Sequence, residues 1–473
     1  MRRYAFLILF IALLVLPFIL RWAVGKQAQL TTGQQEAEVI VITANQEGIR
    51  REFAGAFDQW HREKFGRGAV VHYRQYGAAE IVKYFDAARD TLYKVRGTYQ
   101  VDVVWGGGDR LFDEQLRKPG YLQGVHLDPQ LMRHVFPNRD LGGVALYDPS
   151  DPPTWFGTSL NSFGIVYNKD ALKYLGVPEL KTWRDLADPR LMGWVALADP
   201  TRSASAKQTF MAIVERAMAD AAGERRSEDQ GWAQGMGLIR QIAANARIFT
   251  ESSSAVPILV SSGDAGAGMA IDFYGRAQVG AVGDSRMAYI EPPSATIMNP
   301  DPIALVQGAE HRETAIRFIE FVLSDRGQRL WNTRPGTADG PKQTAIRRLP
   351  ISAAVYANMS DFTDPVNPYT TAGGFNKSNA REKTWAILGE LIEASCIDLL
   401  PELRETRKAI LASPRAVQLD ARLGHFPFDQ NEALRRLEQW KRAPIGTRLE
   451  IKRAWEQEFR EEYRRLKQEC ESR

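Results

Sequence analysis

Trp155-Phe156-Gly157-Thr158-Ser159-Leu160-Asn161-Ser162-Phe163-Gly164-Ile165-Val166-Tyr167-Asn168 and, further on, Leu197-Ala198-Asp199-Pro200-Thr201-Arg202-Ser203-Ala204-Ser205-Ala206-Lys207 are the strings that decide the fold. The first reads as a glycine-punctuated strand. Between the two, Lys181-Thr182-Trp183-Arg184-Asp185-Leu186 reads as a Trp-anchored turn and short helix. The second is a strand that ends in Pro200, followed by small hydroxyl residues that open a helix. The first backbone N–H groups of such a helix are unpaired and its dipole favours negative charge, so Thr201, Ser203 and Ser205 mark a ready anion site.

Working outward, residues 39–43 (Val-Ile-Val-Ile-Thr) form a short β-branched run expected to be a buried strand. Phe53, Phe57 and Trp60 recur at helical spacing within 49–65. A strand over 69–73, a helix over 78–90 and a strand over 101–105 follow. This alternation is the start of a parallel α/β sheet. Ligands in such sheets bind beyond the carboxyl ends of strands, which selects 43–47, the glycine turn 106–110 and 199–205. Residues 206–248 read as helical with a polar break, 267–273 as a strand, 299–306 as a turn and strand, and 314–331 as one amphipathic helix. From about 375 the chain turns helical and charged. Within it Leu449, Ile451, Trp455, Phe459, Tyr463 and Leu466 are read as one apolar stripe, expected to dock on the protein itself.

The chain has 473 residues, 44% apolar and 25% charged, the values of a folded globular protein with room for two or three domains. Its 61 basic and 57 acidic residues leave a net charge of +4, too balanced to argue for nucleic acid. Arg2 and Arg3 precede an apolar run over 4–20, the pattern of an export signal or a membrane anchor, so residues 1–25 are assigned to one of these and the polar 26–37 to a linker. The two cysteines, Cys396 and Cys470, fit either one disulfide or two separate thiols. No Gly-x-Ser-x-Gly elbow, His-Glu-x-x-His helix or Walker loop occurs, and no nucleophile–base pair can be assembled, so no enzyme is expected.

The order of these strings resembles the periplasmic solute-binding subunits of ABC importers, in the branch of ferric-ion, thiamine and phosphorylated-solute binders. The resemblance spans roughly 38–375 and is strongest over 199–207 and over 269–276 (Met-Ala-Ile-Asp-Phe-Tyr-Gly-Arg). It implies a type II, two-lobed periplasmic-binding-protein-like α/β fold, with mixed sheets flanked by helices and an interlobe cleft. Lobe 1 would take 38–158 and 301–375 and lobe 2 the inserted 159–300, leaving 376–473 as a C-terminal helical extension. It also implies a monomer outside the cytoplasmic membrane that binds a small-molecule or ion solute and presents it to an ABC permease. A sensor or scaffold anchored at the membrane is the alternative.

The candidate ligand residues are Thr43 and Asn45 after the first strand, Gly107, where backbone can approach a solute closely, Ser159 at the crossing between lobes, Thr201, Ser203 and Ser205, and Asp272 with Tyr274. A strand ending in Asp-Phe-Tyr-Gly would put the acid and the phenol on one face and Phe273 on the other. A carboxylate with a phenolate suits a hard cation, which makes Tyr274 a candidate metal ligand. The ferric-binding relatives have two adjacent tyrosines here, and Phe273 takes the first of those places. No resident cofactor is implied, and ferric iron would be cargo. The solute classes that follow are ferric iron or an iron complex, a phosphorylated or phosphonate compound, and thiamine or its phosphates.

Overall fold

The computed structural model describes residues 36–371 and 380–471. The export or anchor segment 1–25, nearly all of the linker 26–37 and the 372–379 junction lie outside the described residues. In chain order the strands are β1 (Ala37–Thr43), β2 (Ala69–Gln75), β3 (Val103–Trp105), the hairpin β4 and β5 (Asp140–Leu141 and Val144–Ala145), β6 (Phe156–Asn161), β7 (Phe163–Asn168), β8 (Val195–Ala198), β9 (Ala246–Thr250), β10 (Ala267–Ile271), β11 (Met287–Ile290), β12 (Asn299–Leu305) and β13 (Leu349–Pro350). They make two main sheets, β13-β6-β12-β3-β1-β2 in lobe 1 and β11-β7-β10-β8-β9 in lobe 2. Both are mixed: β1 is parallel to β2 and β3, whereas β12 runs antiparallel to β3 and β6.

The two-residue period of β1 explains its burial on both sides. Val39 and Val41 pack with Phe53 and Phe57 of helix α1 (Glu47–Phe65), and Ile42 packs on the other face with Ile81 and Phe85 of α2 (Ala78–Ala88). Lobe 2 is built in the same manner around α3 (Ala204–Gly223) and α4 (Glu228–Ala244), with α5 (Asp272–Val282) following β10. The expected helix over 314–331 is two: α6 (Arg312–Leu323) stops where Ser324 caps a second helix, Asp325–Leu330, its Oγ accepting the Gly327 N–H at 3.3 Å.

The chain crosses between lobes at Ser162, where β6 of the first sheet gives way to β7 of the second, and returns just before β12. The strands change sheet at 161–163 and at 298–299, within three residues of the expected 158–159 and 300–301. Ser159 still belongs to the lobe 1 sheet, paired with Asp301. Asn161 and Asn299 face each other in register at the last pair of the β6–β12 ladder.

The C-terminal helices α7 (Ala380–Ile392), α8 (Leu400–Ala412), α9 (Ala416–Leu423), α10 (Gln430–Arg442) and α11 (Ile445–Glu471) share a core with lobe 2. Leu391, Leu403, Phe426 and Phe459 pack in one cluster with Trp232, Met236 and Ile239 of α4. Fully burying each such side chain contributes about 1.5–3 kcal/mol relative to exposure. Arg407 of α8 reaches into lobe 2 and donates to the carbonyls of Ala187 (2.6 Å) and Gln241 (2.5 Å) and to Asn245 Oδ1 (3.0 Å). The apolar stripe of α11 is as expected from Ile451 to Leu466, but Leu449 is exposed: six residues before Trp455 it points away, at about 100° per residue. Cys396 is buried and Cys470 half-buried, with no disulfide between them. Among the described residues no helix is long and apolar enough to cross a membrane.

Candidate functional site

A cleft of about 210 Å³, partly open to solvent, lies between the lobes at the crossings. Its lobe 1 wall is Ala44, Asn45 and the turn 107–110, together with Asp301 and Arg348. Its lobe 2 wall is Phe163, the start of α3 at Ala204 and Ser205, Gln208 and Phe273, and Asn161 and Asn299 form the floor.

The lobe 1 wall is fixed from beneath. Thr43 donates its hydroxyl to the Trp105 carbonyl (2.7 Å) and accepts the Asn45 N–H (3.0 Å), so it shapes the turn and does not face the cleft. Asn45 is 2% exposed, and its Nδ2 has no hydrogen-bond partner in the protein. A buried unpaired donor costs about 1–3 kcal/mol. Gly106, Gly107 and Gly108 all have positive φ (82°, 109° and 86°), and a Cβ on Gly107 would sit 2.6 Å from Leu111, so the turn requires glycine. The N–H groups of Gly107 and Gly108 both donate to Asp301 Oδ1, at 2.9 and 3.0 Å, while Arg348 pairs with Oδ2. These three donors offset the Asp301 charge. Arg110 and Arg348 stand against Asp109 and Asp301 here, so the formal charges of this wall balance.

On the lobe 2 wall, α3 opens at Ala204, later than the residues after Pro200 led us to expect. Ser203 is its cap, accepting the Ala206 N–H (3.2 Å), and Ser205 lies in the cleft. Thr201 is outside both: it is exposed, and its N–H and hydroxyl are taken by Asp199 at 2.8 and 2.6 Å. Lys207, one turn into α3, has its ammonium pKa lowered by burial, with Glu390 opposing and Arg110 reinforcing the shift.

The segment Asp272-Phe273-Tyr274 is corrected by the structure. The strand ends at Ile271, and Asp272 begins α5. In a helix residues two apart point about 200° from each other, so the acid and the phenol do not share a face. Phe273 lines the cleft, with the Arg348 guanidinium 4.3 Å from its ring centroid. Tyr274 instead accepts from Gln46 Nε2 across the lobes (3.2 Å). Asp272 is fully buried beside the crossing, its Oδ2 unpaired and Arg276 Nη1 3.9 Å away. Burial pushes its pKa up to about 7 against the pull of Arg276, and Glu291 adds to the rise. Ser159 is likewise buried in the sheet and does not line the cleft.

The structure thus brings Asn45, Gly107 and Ser205 together in the cleft and leaves Thr43, Ser159, Thr201, Ser203, Asp272 and Tyr274 outside its lining. Reading the sequence did not single out Arg348, Phe273, Gln208 or Trp385. Arg348 and Trp385 carry no local signal, because each reaches the cleft by tertiary placement, whereas Gln208 follows Ser205 by one turn of α3 and Phe273 stands between the candidates Asp272 and Tyr274.

Residues 112–343 match the bacterial extracellular solute-binding protein family. Over that stretch, just under half of the chain, it is similar to the solute-binding proteins of this family. The chain is 24% identical over 256 residues to the phosphoglycerate transport regulatory protein PgtC of Salmonella typhimurium, covering 50% of this chain and 60% of that protein. It is 28% identical over 194 residues to iron uptake protein A1 of Synechocystis, covering 39% and 49%. The chain therefore spans well under two thirds of either relative. Among solved structures, the periplasmic binding protein AfuA of Actinobacillus pleuropneumoniae with fructose-6-phosphate bound aligns over 74% of this chain and 97% of its own, with a TM-score of 0.50 and 16% identity, a likeness of fold.

Proposed function

We propose that this solute-binding protein captures a small organic phosphate between its lobes and presents the closed form to an ABC permease outside the cytoplasmic membrane. The observation that supports this most directly is the convergence of donors on one cavity. The unpaired Nδ2 of Asn45, the open first turn of α3 at Ala204 and Ser205, and the unpaired Nε of Arg348 belong to residues that border it. Donors without acceptors suit an anion rich in oxygen, and a helix start with an arginine suits phosphate in particular. The phosphoglycerate relative and the fold shared with a sugar-phosphate binder support the same class.

Ferric iron is the weaker reading. Tyr274 is engaged by Gln46 and Asp272 is buried at the crossing, so the two candidate oxygen ligands do not converge. No group of three or more His, Cys, Asp or Glu suited to a metal ion occurs among the described residues. Thiamine phosphates would use the same donors.

Thermal unfolding of ligand-stripped protein against 3-phosphoglycerate, fructose 6-phosphate, inorganic phosphate, thiamine phosphate and ferric citrate tests the proposal. A ligand at a hundred times its Kd adds about 2.7 kcal/mol. A shift of several degrees with an organic phosphate is expected. A shift with ferric citrate alone would refute the phosphate reading, and no shift with any compound would favour the scaffold alternative.

A further inference from the structure

Trp385 lines the cleft although it belongs to neither lobe. It sits on α7, whose Ile387, Leu388 and Leu391 are in the lobe 2 core. Its ring is approached by two cations, the Arg110 guanidinium at 4.9 Å and the Lys207 ammonium at 5.2 Å from the centroid. Arg110 comes from the lobe 1 glycine turn, and Lys207 from the start of α3 in lobe 2. Two like charges near one point repel, and the negative face of an indole offsets part of that repulsion. Gly389, one turn along α7, lies beside the same ammonium: a Cβ there would be 3.2 Å from Lys207 Nζ. Because α7 shares the lobe 2 core, Trp385 is fixed relative to Lys207 and Ser205. Its contact with Arg110 crosses the cleft.

From this geometry we infer that Trp385 is a third wall of the solute site: the C-terminal bundle supplies an aromatic surface that selects solutes with a carbon skeleton beside their phosphate, and that holds Arg110 to lobe 2 in the closed state. The inference rests on the phosphate reading for the anionic half of the solute. The carbon skeleton would lie against the indole, while the phosphate oxygens meet the Asn45, Ser205 and Arg348 side of the cavity. Inorganic phosphate offers nothing to the ring.

The test uses Trp385→Ala and Trp385→Phe in the full chain, with folding checked by circular dichroism. Binding of 3-phosphoglycerate, fructose 6-phosphate and inorganic phosphate is measured by titration calorimetry. Acetylation of Lys207 is followed in parallel by mass spectrometry without ligand. Wild-type protein is expected to prefer an organic phosphate over inorganic phosphate by about tenfold or more, equivalent to ~1.4 kcal/mol. Trp385→Ala should abolish most of that preference and acetylate Lys207 several-fold faster, and Trp385→Phe should keep most of both wild-type properties. An unchanged preference in Trp385→Ala would overturn the assignment. If wild-type protein binds none of the phosphates, the phosphate reading and the organic-phosphate selection fail together. The acetylation rates then decide the wall alone: equal rates overturn it, and faster acetylation in Trp385→Ala retains it for another anion.

Discussion

Replacing Arg407 by leucine is expected to cost about 3–5 kcal/mol, the usual consequence of breaking a buried charged network on one side. Arg407 is 1% exposed. Its guanidinium donates to Asp420 (3.1 Å), the Gln241 carbonyl, Asn245 Oδ1 and the Ala187 carbonyl. Leucine keeps the apolar stem but leaves two carbonyls and an amide oxygen without this donor, each worth about 1–3 kcal/mol if no water reaches it. Asp420 is different, because it is partly exposed and also accepts from Gln241 Nε2, so its loss is small. Arg407→Lys, with one compact cation in place of the fork, should fall between wild type and leucine. Calorimetric scans provide the measurement. For a cooperative unit of some 150–250 residues, 1 kcal/mol moves Tm by about 2–4 °C, so Arg407→Leu should lower the main transition by roughly 10 °C. Lobe 2 and the bundle should also melt together, since they share a core. A loss under about 1 kcal/mol, or two separate transitions for lobe 2 and bundle in the wild-type scan, would refute the claim that Arg407 joins them into one unit.

Three more outcomes are expected. Asn45→Ala should weaken phosphate binding by about 1–3 kcal/mol while leaving Tm equal or higher, because it removes a buried donor that is unpaired without solute; calorimetric titration and melting read both. Asp272 has a folded pKa near 7, well above its unfolded value of 3.8, so the folded state binds the extra proton and stability from this group falls as pH rises from about 4 to 7. Asp272→Asn should therefore stabilise the protein at pH 7.5 by on the order of a few kcal/mol and flatten that slope, as urea titrations at pH 5 and 7.5 would show. Tyr274→Phe removes one interlobe hydrogen bond, about 1 kcal/mol, and should weaken phosphate binding by less than about tenfold; complete loss would restore Tyr274 to the site.

The parts of this chain that could be read from its sequence are those set by local rules. The β-branched run before Thr43, the three consecutive glycines after Trp105 and the Ser203 cap each announce backbone geometry by themselves. They place Asn45, Gly107 and Ser205 at strand or helix ends, where the cleft lies. The rule failed at Asp272, because an apolar strand of five residues runs straight into a helix with no glycine or proline between them. It failed again at Ser324, where a cap inside one amphipathic pattern splits a helix. Arg348 and Trp385 were not recoverable at all: the first stands in a loop of mixed charge, and the second waits on a docking event between segments far apart in the sequence. The stripe on α11 showed that something would cover it, but not that its cover would be the neighbouring helices of the bundle.

A body that turns carries everything welded to it. The bundle ends in α11, 27 residues and so about 40 Å of rod, and it is welded to lobe 2, which would swing about Ser162 in the proposed closure. A change of angle too small to notice at the pivot becomes a measurable travel at a distance from it. Any neighbour resting on these helices would feel whether the jaws are shut without touching the cargo, much as the hand of a dial reports the motion of a spindle it does not enclose.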